Sequence, residues 1–206
     1  RVNYNSMEMP RTQLLQRVIS KAAKIDSNVL RDKRLTDQEK EDIRRVIDMI
    51  EKQAQIIFDE QAALSVQDVE NKIIHYNCDC IFIDHLGLMQ LPNIKNKWDA
   101  IGENTHALKQ MAMKHNIVIV MLVQQNRSAD TMKNPNMSTL KGSSDIENDA
   151  DSIFAISADT GGQMITGNAS VDAKIDVIKN RHGGTGNMSF SWQPQYHSWI
   201  PKEAEF

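Results

Sequence analysis

The residue best suited to chemistry in this sequence is Asp84, which ends a short apolar run in the segment CIFIDHLGLMQL, residues 80–91. The run predicts a buried strand that presents the carboxylate at its C-terminal tip, and Gly87 follows as a turn residue. In open α/β sheets, ligands bind at the carboxyl ends of the strands. A carboxylate there suits Mg²⁺ carried by a nucleotide phosphate, as in a Walker B element. An aspartate that only caps the next turn would give the same pattern.

Other predicted strands also end in polar groups that could contact a phosphate. These groups are Glu8, Gln124, Lys179 and Arg181. If the strands are parallel, their tips share one edge of the sheet and together form a phosphate site. Lys179 and Arg181 are two residues apart at a strand end, which predicts that they lie on one face. Taken singly, Glu8 before Pro10 could be a helix-start acid, Gln124 a strand-end amide and Arg181 a surface arginine.

The elements that would position these groups alternate along the chain. Residues 2–5 alternate apolar and polar side chains, which predicts a short strand, and residues 117–123 form a continuous apolar run, as in a parallel strand covered on both faces. Between the runs lie segments with helical spacing, two of which begin with capping boxes, at Thr36 and Ser65. This alternation predicts an α/β fold with a mainly parallel sheet flanked by helices, and residues 187–200 add a terminal antiparallel hairpin.

Composition limits the class of protein. The chain has 206 residues, 40% hydrophobic and 25% charged, as in an ordinary globular protein, and we expect one domain over residues 1–206. The net charge of −3 argues against a uniformly basic nucleic-acid coat but leaves room for a local basic strip. The chain has two cysteines, no apolar run near the roughly 20 residues of a membrane helix, and no signal-peptide pattern. These features indicate the cell interior.

Five ordered motifs resemble those of the DnaB-type replicative helicases. SMEMP resembles the SLEMS element of that family, CIFIDHLGLMQ resembles its IDYLQLM Walker B segment, and LVQQNRS resembles SQLNRS. Farther along the chain, LKGSSDIENDADSI is similar to LRESGAIEQDAD, and KNRHGGTG is similar to KQRNGPTG. The motifs keep their order over about residues 2–192, and this agreement is more specific than any single motif. The resemblance implies the RecA-like core of a P-loop ATPase.

The resemblance also implies roles for the residues of the nucleotide site, with ATP and Mg²⁺ as cofactors. Glu8 would be the general base that polarises the attacking water, and Asp84 would hold Mg²⁺ through its water shell. Gln124 would sense the γ-phosphate and couple it to DNA. Lys179 and Arg181 would be cationic fingers that reach the ATP of a neighbouring subunit, where such an arginine stabilises the charge that develops in phosphoryl transfer.

Partners follow from the same resemblance. The DNA-contacting loop of the family matches Lys141, Gly142, Ser143 and Ser144, where backbone N–H groups and hydroxyls would follow single-stranded DNA without reading its bases. The protein would act as a homo-hexameric helicase ring in the cytoplasm, or in the host cytoplasm if a phage encodes it. Primase and a helicase loader would be further partners, and a membrane would not.

The sequence departs from the family pattern at several positions. His85 stands in place of a tyrosine, Gln125 in place of a leucine and Gly142 in place of a glutamate, and the last change weakens the match of the DNA loop. No phosphate-binding loop of the form GxxxxGKS or GxxxxGKT occurs in the sequence. In the family this loop precedes the strand at residues 2–5, so we expect it upstream of Arg1, together with an N-terminal primase-interacting domain. Without the loop, the chain alone should hydrolyse ATP negligibly.

Two other functions stay open at this point. A non-catalytic module could keep the fold only for assembly or DNA binding, and another RecA-like ATPase could act as a recombinase or a circadian-clock-type kinase. The KNRHGGTG segment and the acidic run at residues 145–151 favour the helicase over the second of these. His75, Cys78, Cys80 and His85 suggest zinc ligands, but structural zinc sites favour cysteine pairs in loops, whereas these cysteines lie in or beside a predicted strand.

Overall fold

The computed structural model describes residues 1–53, 55–124, 143–159 and 169–202, with only the backbone described at residues 143 and 144. The chain divides into two compact units, one made of residues 1–11 and 55–151 and the other of residues 12–54 and 152–206. Within the described ranges, no helix combines the length and the apolar character that crossing a membrane requires.

The described residues form α-helices, β-strands and two short 3-10 helices. In chain order these are β1 (Val2–Ser6), α1 (Arg11–Ala23), α2 (Ser27–Arg31), α3 (Asp37–Gln53), β2 (Ile56–Glu60), α4 (Val66–Tyr76), β3 (Cys80–Asp84), a 3-10 helix (Leu86–Leu88), α5 (Lys97–His115), β4 (Val118–Met121), α6 (Ser143–Asp149), β5 (Ser152–Ala158), β6 (Val171–Asn180), β7 (Gly186–Gln193), a second 3-10 helix (Pro194–Tyr196) and β8 (Ser198–Pro201).

The first unit is built on a four-stranded parallel sheet with the strand order β2-β1-β3-β4. Side chains alternate between the two faces of a strand, and in β3 the inner positions Ile81 and Ile83 are fully buried. They join a core formed with α4 and α5, whose members include Val69, Ile73, Leu108 and Met111. The opposite face of β3 carries Phe82 and Asp84, which are only half-buried.

The two helices that cover this core start and stop at residues suited to those positions. Ser65 and Asp68 form the predicted capping box at the start of α4, each side chain accepting from the backbone N–H of the other. Asn96 caps α5 by accepting from the Trp98 N–H. Both helices end at an asparagine in the left-handed region, Asn77 at φ 46° and Asn116 at φ 52°, which turns the chain into the strand that follows.

The structure of β4 differs from the prediction. The apolar run at residues 117–123 suggested a strand covered on both faces, whereas β4 spans only Val118–Met121 and Val118 is 58% exposed. The reason is its position, because β4 lies at one edge of the sheet among the described residues.

The second unit contains an antiparallel sheet with the strand order β5-β6-β7-β8. Val171 and Ala173 of β6 are buried on one face of this sheet, and Leu14 of α1 is another buried residue of the same unit. Trp192 lies opposite Trp199, and their rings stack with centroids 6.2 Å apart, which ties the predicted terminal hairpin together. The predicted capping box at Thr36 is also present, with Glu39 as its partner at the start of α3.

Candidate functional site

The carboxyl edge of the parallel sheet collects three of the predicted site residues. Ser6, the last residue of β1, pairs with Asp84, the last residue of β3. Glu8 lies in the turn after β1, and Gln124 lies just beyond β4, where its side chain is exposed. Parallel pairing of β1, β3 and β4 therefore brings a carboxylate, a second carboxylate and an amide to one edge, as the sequence predicted.

Glu8 combines a backbone held by hydrogen bonds with an exposed side chain. The Met7 N–H donates to the carbonyl oxygen of Asp84 at 2.9 Å, and the Met9 N–H donates to the hydroxyl oxygen of Ser6, also at 2.9 Å. Ser6 is buried, so the second bond attaches the turn to the interior of the unit. The Glu8 side chain itself is 59% exposed and can meet a water molecule. A general base needs this combination of a stable position and access to water.

Among the described residues, His85 is the side chain positioned to form an ion pair with the Glu8 carboxylate. Its Nε2 lies 3.8 Å from Glu8 Oε2, and the imidazole is mostly buried. Gly87 leaves room for the ring, since a Cβ atom at that position would lie 3.2 Å from two imidazole atoms. The histidine that replaces the family tyrosine thus lies beside the proposed base, a contact that the sequence did not indicate.

Asp84 accepts a hydrogen bond through one of its two side-chain oxygens. The Tyr4 hydroxyl donates to Oδ2 at 2.7 Å, while Oδ1 accepts no hydrogen bond from any described residue. No lysine or arginine of the described chain forms an ion pair with Asp84. An oxygen donor with no cation of its own fits Mg²⁺.

The way in which Asp84 could hold this ion follows from its surroundings. The described residues contain no group of three or more histidine, cysteine or acidic side chains that could enclose a metal. Mg²⁺ usually keeps several of its waters and needs only one or two protein carboxylates in nucleotide sites. The arrangement therefore fits an ion that arrives with a phosphate and contacts the protein through water.

Glu60 is a third carboxylate at this edge, and sequence reasoning missed it. It ends β2, pairs with Ser6 across the sheet, and accepts the Arg11 N–H at 2.6 Å. This bond satisfies a backbone N–H at the start of α1, which favours a negative charge. The signal available in the sequence was an acid at the end of a short apolar run, the same signal that identified Asp84.

Lys179 and Arg181 do not belong to a strand of the parallel sheet, which corrects the sequence prediction. Lys179 lies near the end of β6, and β6 belongs to the antiparallel sheet of the second unit. Arg181 follows the last residue of the strand, Asn180, in a turn. The alternation of side chains within a strand therefore does not place Arg181 on the face of Lys179.

The segment matched to a DNA-contacting loop is described only at its end. Lys141 and Gly142 lie outside the described residues, as does Gln125, while Ser143 and Ser144 form the backbone start of α6. Within the first unit α6 packs against α5, since Ile146 of α6 is buried in the core with residues of α5, and Lys109 of α5 pairs at 2.6 Å with Asp151, which follows α6.

The contact between α5 and α6 is close enough to involve a glycine. A Cβ atom at Gly102 would lie 2.6 Å from Asp145 Oδ2 and 3.2 Å from Asp145 Cβ. The glycine in α5 therefore allows the first turn of α6 to lie close to it.

The cysteines have properties that disfavour the zinc reading. Burial raises the pKa of both thiols, Cys78 and Cys80, and so disfavours the thiolate form that zinc requires. Cys78 is itself part of the buried core of the first unit.

Comparison with known proteins identifies sequence relatives. A family model described as the DnaB-like helicase C terminal domain matches residues 1–200. The replicative DNA helicase DnaB of Rickettsia prowazekii (strain Madrid E) is 29% identical over 218 residues, covering 95% of this chain and 45% of that protein. The replicative DNA helicase DnaB of Haemophilus influenzae is 28% identical over 202 residues, covering 93% of this chain and 42% of that protein. The chain thus spans less than half of the length of these relatives.

Solved structures confirm the predicted fold. One is the structure of a DnaB-like replicative helicase, studied with its interactions with primase. The match covers 98% of this chain and 50% of the helicase chain, with a TM-score of 0.87 and 22% sequence identity. A second structure is that of an ATPase domain. The match covers 98% of this chain and 74% of the ATPase-domain chain, also with a TM-score of 0.87 and 22% sequence identity. The parallel sheet and the antiparallel sheet are therefore those of a RecA-like ATPase fold.

Proposed function

This chain belongs to the DnaB-like helicase C terminal domain family, and from that membership we propose that it is the ATP-hydrolysing motor domain of a replicative DNA helicase. The motor would move along single-stranded DNA as part of a homo-hexameric ring. The observation that carries the proposal is the placement of Glu8, Asp84 and Gln124 at one edge of the parallel sheet. We take residues 1–206 as one ATPase domain within that ring.

In the proposed reaction, Glu8 accepts a proton from the water that attacks the γ-phosphate of ATP. Its turn is fixed by the bonds to Asp84 and Ser6, so the carboxylate starts each cycle from one backbone position. Asp84 would hold Mg²⁺ through a water, with Oδ1 as the available acceptor. When bound, this ion neutralises charge on the phosphates during transfer. Gln124 would contact the γ-phosphate, and β4, which precedes it, would transmit the resulting change in its position toward the DNA-contacting residues.

The cationic residues of the second unit would act on a different nucleotide. Lys179 and Arg181 are proposed to reach the ATP of a neighbouring subunit, which is compatible with their position in and just after β6 of the antiparallel sheet. An arginine supplied in this way neutralises the charge that develops in phosphoryl transfer. Hydrolysis would then depend on ring assembly, and the movement of one subunit would time the chemistry of the next.

DNA contact is proposed for the segment before and at the start of α6. Lys141 would meet phosphates, and the backbone N–H groups of Gly142, Ser143 and Ser144 would follow the strand without reading bases. One copy of this segment binds weakly, and six copies around a channel add through multivalency. Primase is a proposed partner because a structurally similar helicase interacts with it. We also propose a helicase loader as a partner and the cytoplasm as the location.

The test is a substitution of Glu8 in the full-length protein. Glu8→Gln should lower ATP hydrolysis by about 10²- to 10⁴-fold, the usual contribution of a general base, while a fluorescent ATP analogue binds with unchanged affinity. Glu51→Gln, at an exposed acid of α3, is the matched control and should hydrolyse normally. Undiminished turnover by Glu8→Gln would remove Glu8 from the base role. An unaltered hexamer that neither hydrolyses ATP nor unwinds DNA would overturn the motor proposal.

A further inference from the structure

The bond between Tyr4 and Asp84 joins two strands at the edge that holds the candidate site. Tyr4 lies in β1 and Asp84 ends β3, and the hydroxyl of Tyr4 donates to Asp84 Oδ2 at 2.7 Å. A hydroxyl that donates to a carboxylate forms a short, charge-assisted bond, which is stronger than a bond between neutral groups. Both side chains are only half-buried, so the bond lies where solvent and ligands can reach the carboxylate.

The ring of Tyr4 cannot easily move away from this carboxylate. In the register of the sheet Tyr4 lies opposite Phe58 of β2 on one side and Phe82 of β3 on the other. Its ring stacks on Phe82 with centroids 5.6 Å apart and an interplanar angle of 21°, and it tilts against Phe58 at 5.9 Å. Aromatic pairs at these distances stabilise a fixed arrangement. The hydroxyl is therefore held by three strands.

Packing alone does not explain why residue 4 is a tyrosine. A phenylalanine would make the same ring contacts with Phe58 and Phe82, so what the tyrosine adds toward Asp84 is the hydroxyl. With Oδ2 engaged, rotation of the Asp84 carboxylate about its last bond is restricted, and Oδ1 is the oxygen that no described residue occupies. A carboxylate that binds a cation through water benefits from such a fixed orientation.

We propose that Tyr4 is a positioning residue for Mg²⁺, whose hydroxyl orients the Asp84 carboxylate so that Oδ1 accepts from a water of the ion. The proposal deepens the function proposed above and rests on the role assigned there to Asp84. It predicts that loss of the hydroxyl weakens the response to Mg²⁺ and leaves the fold and the metal-free binding of nucleotide in place.

The experiment uses Tyr4→Phe in the full-length protein, with binding of a fluorescent ATP analogue titrated against Mg²⁺. The Mg²⁺ concentration for half-maximal binding should rise about 10-fold, as expected when a residue that orients a metal ligand is lost. Excess Mg²⁺ should restore both binding and hydrolysis. Tyr76→Phe is the matched control, because the hydroxyl of Tyr76 in α4 donates at 3.3 Å to Asp59, another aspartate of the parallel sheet. The Mg²⁺ response of this control should stay unchanged.

A double-variant cycle tests whether the hydroxyl acts through Asp84. Tyr4→Phe should have no further effect on the Mg²⁺ response once Asp84→Asn is present. A Mg²⁺ response of Tyr4→Phe equal to that of Tyr76→Phe, in protein that unfolds at the same urea concentration as the unaltered chain, would overturn the inference. In that case a large effect of Asp84→Asn would still support the proposed function, whereas no effect of Asp84→Asn would overturn both.

Discussion

Asp59 and Asp84 are two aspartates of the same sheet, each bonded to a tyrosine hydroxyl, in different electrostatic surroundings. Asp59 of β2 also accepts from Lys72 at 2.8 Å and from Asn3 at 3.3 Å. Asp84 of β3 accepts from Tyr4 but has no cationic partner among the described residues. Within the described part of the chain, Asp59 therefore has a compensating charge and Asp84 has none.

The difference shows how to separate a structural carboxylate from one that awaits a ligand. Burial would raise the pKa of Asp59, but the hydrogen bond from Lys72 and the lysine charge outweigh it, so the pKa is lowered overall. Asp59 thus stays ionised and paired inside the first unit. A carboxylate at the open edge of the sheet, with one free oxygen and no lysine, is instead suited to a cation from outside.

The largest effect on ATP hydrolysis or stability should come from removing the carboxylate charge of Asp84 or of Asp59 in separate variants. In the full-length protein, Asp84→Asn should lower ATP hydrolysis by about 10³-fold, because a bound metal supplies several kcal/mol to such reactions, with little change in the free energy of unfolding. Asp59→Asn should do the reverse, lowering stability and leaving turnover per folded molecule unchanged. Steady-state hydrolysis and urea unfolding measure the two quantities. Equal losses of activity in both variants would abolish the distinction between the carboxylates.

A second effect should appear when Asp59 loses its cation. Lys72→Met keeps most of the side-chain volume but leaves a carboxylate that is only 21% exposed without its partner. We expect the free energy of unfolding to fall by about 2 kcal/mol, a typical value for the loss of a hydrogen bond between charged groups, because Asp59 keeps its bonds from Asn3 and Tyr76. The double variant Lys72→Met with Asp59→Asn should regain part of this loss. Additive losses in urea unfolding would show that the two residues do not interact.

The fold was predictable where local rules decide it. Helix starts at Thr36 and Ser65 follow from capping boxes, and the apolar run before Asp84 specified a buried strand. The position of Asp84 at the tip of this strand could also be predicted, because the apolar run and the aspartate that ends it lie in one short segment of the sequence. The α/β class followed from the alternation of the two kinds of segment.

Partnerships between segments were not predictable from the sequence. Which residue faces Tyr4 depends on the register of β1 against β3, and which carboxylate faces Lys72 depends on how α4 lies on the sheet. The apolar run after residue 117 gave no sign that β4 lies at an edge. Likewise, nothing in the segment before Lys179 indicated that its strand joins a second sheet.

The smallest effect concerns an ion pair at the surface. As at Asp59, a cationic partner lowers the pKa of a carboxyl group there. The Glu70 carboxylate of α4 accepts from Lys114 at 2.7 Å and from His115 at 2.8 Å, and these bonds lower its pKa from 4.5 to about 2. Because the pKa is lower in the folded chain, this stabilisation is present above about pH 4.5 and is lost as the pH falls toward 2. Glu70→Gln should therefore be less stable than the unaltered chain at pH 7 but not at pH 2.

Urea unfolding over that pH range is the measurement. The gap between the two proteins should close between about pH 4.5 and 2, and Glu51→Gln should show no such closing, since Glu51 forms no ion pair with the described residues. A gap that stays constant with pH would mean that Glu70 stabilises the chain by packing and not by its charge.

The close approach of α5 and α6 at Gly102 has a consequence for how the sequence can drift over evolution. A methyl group at position 102 would lie 2.6 Å from the carboxylate of Asp145, so any larger residue there requires Asp145 to rotate away or to be replaced by a smaller side chain. The two positions are 43 residues apart but should vary as a pair. An alanine at 102 should therefore be found with a glycine, alanine or serine at 145 more often than chance allows.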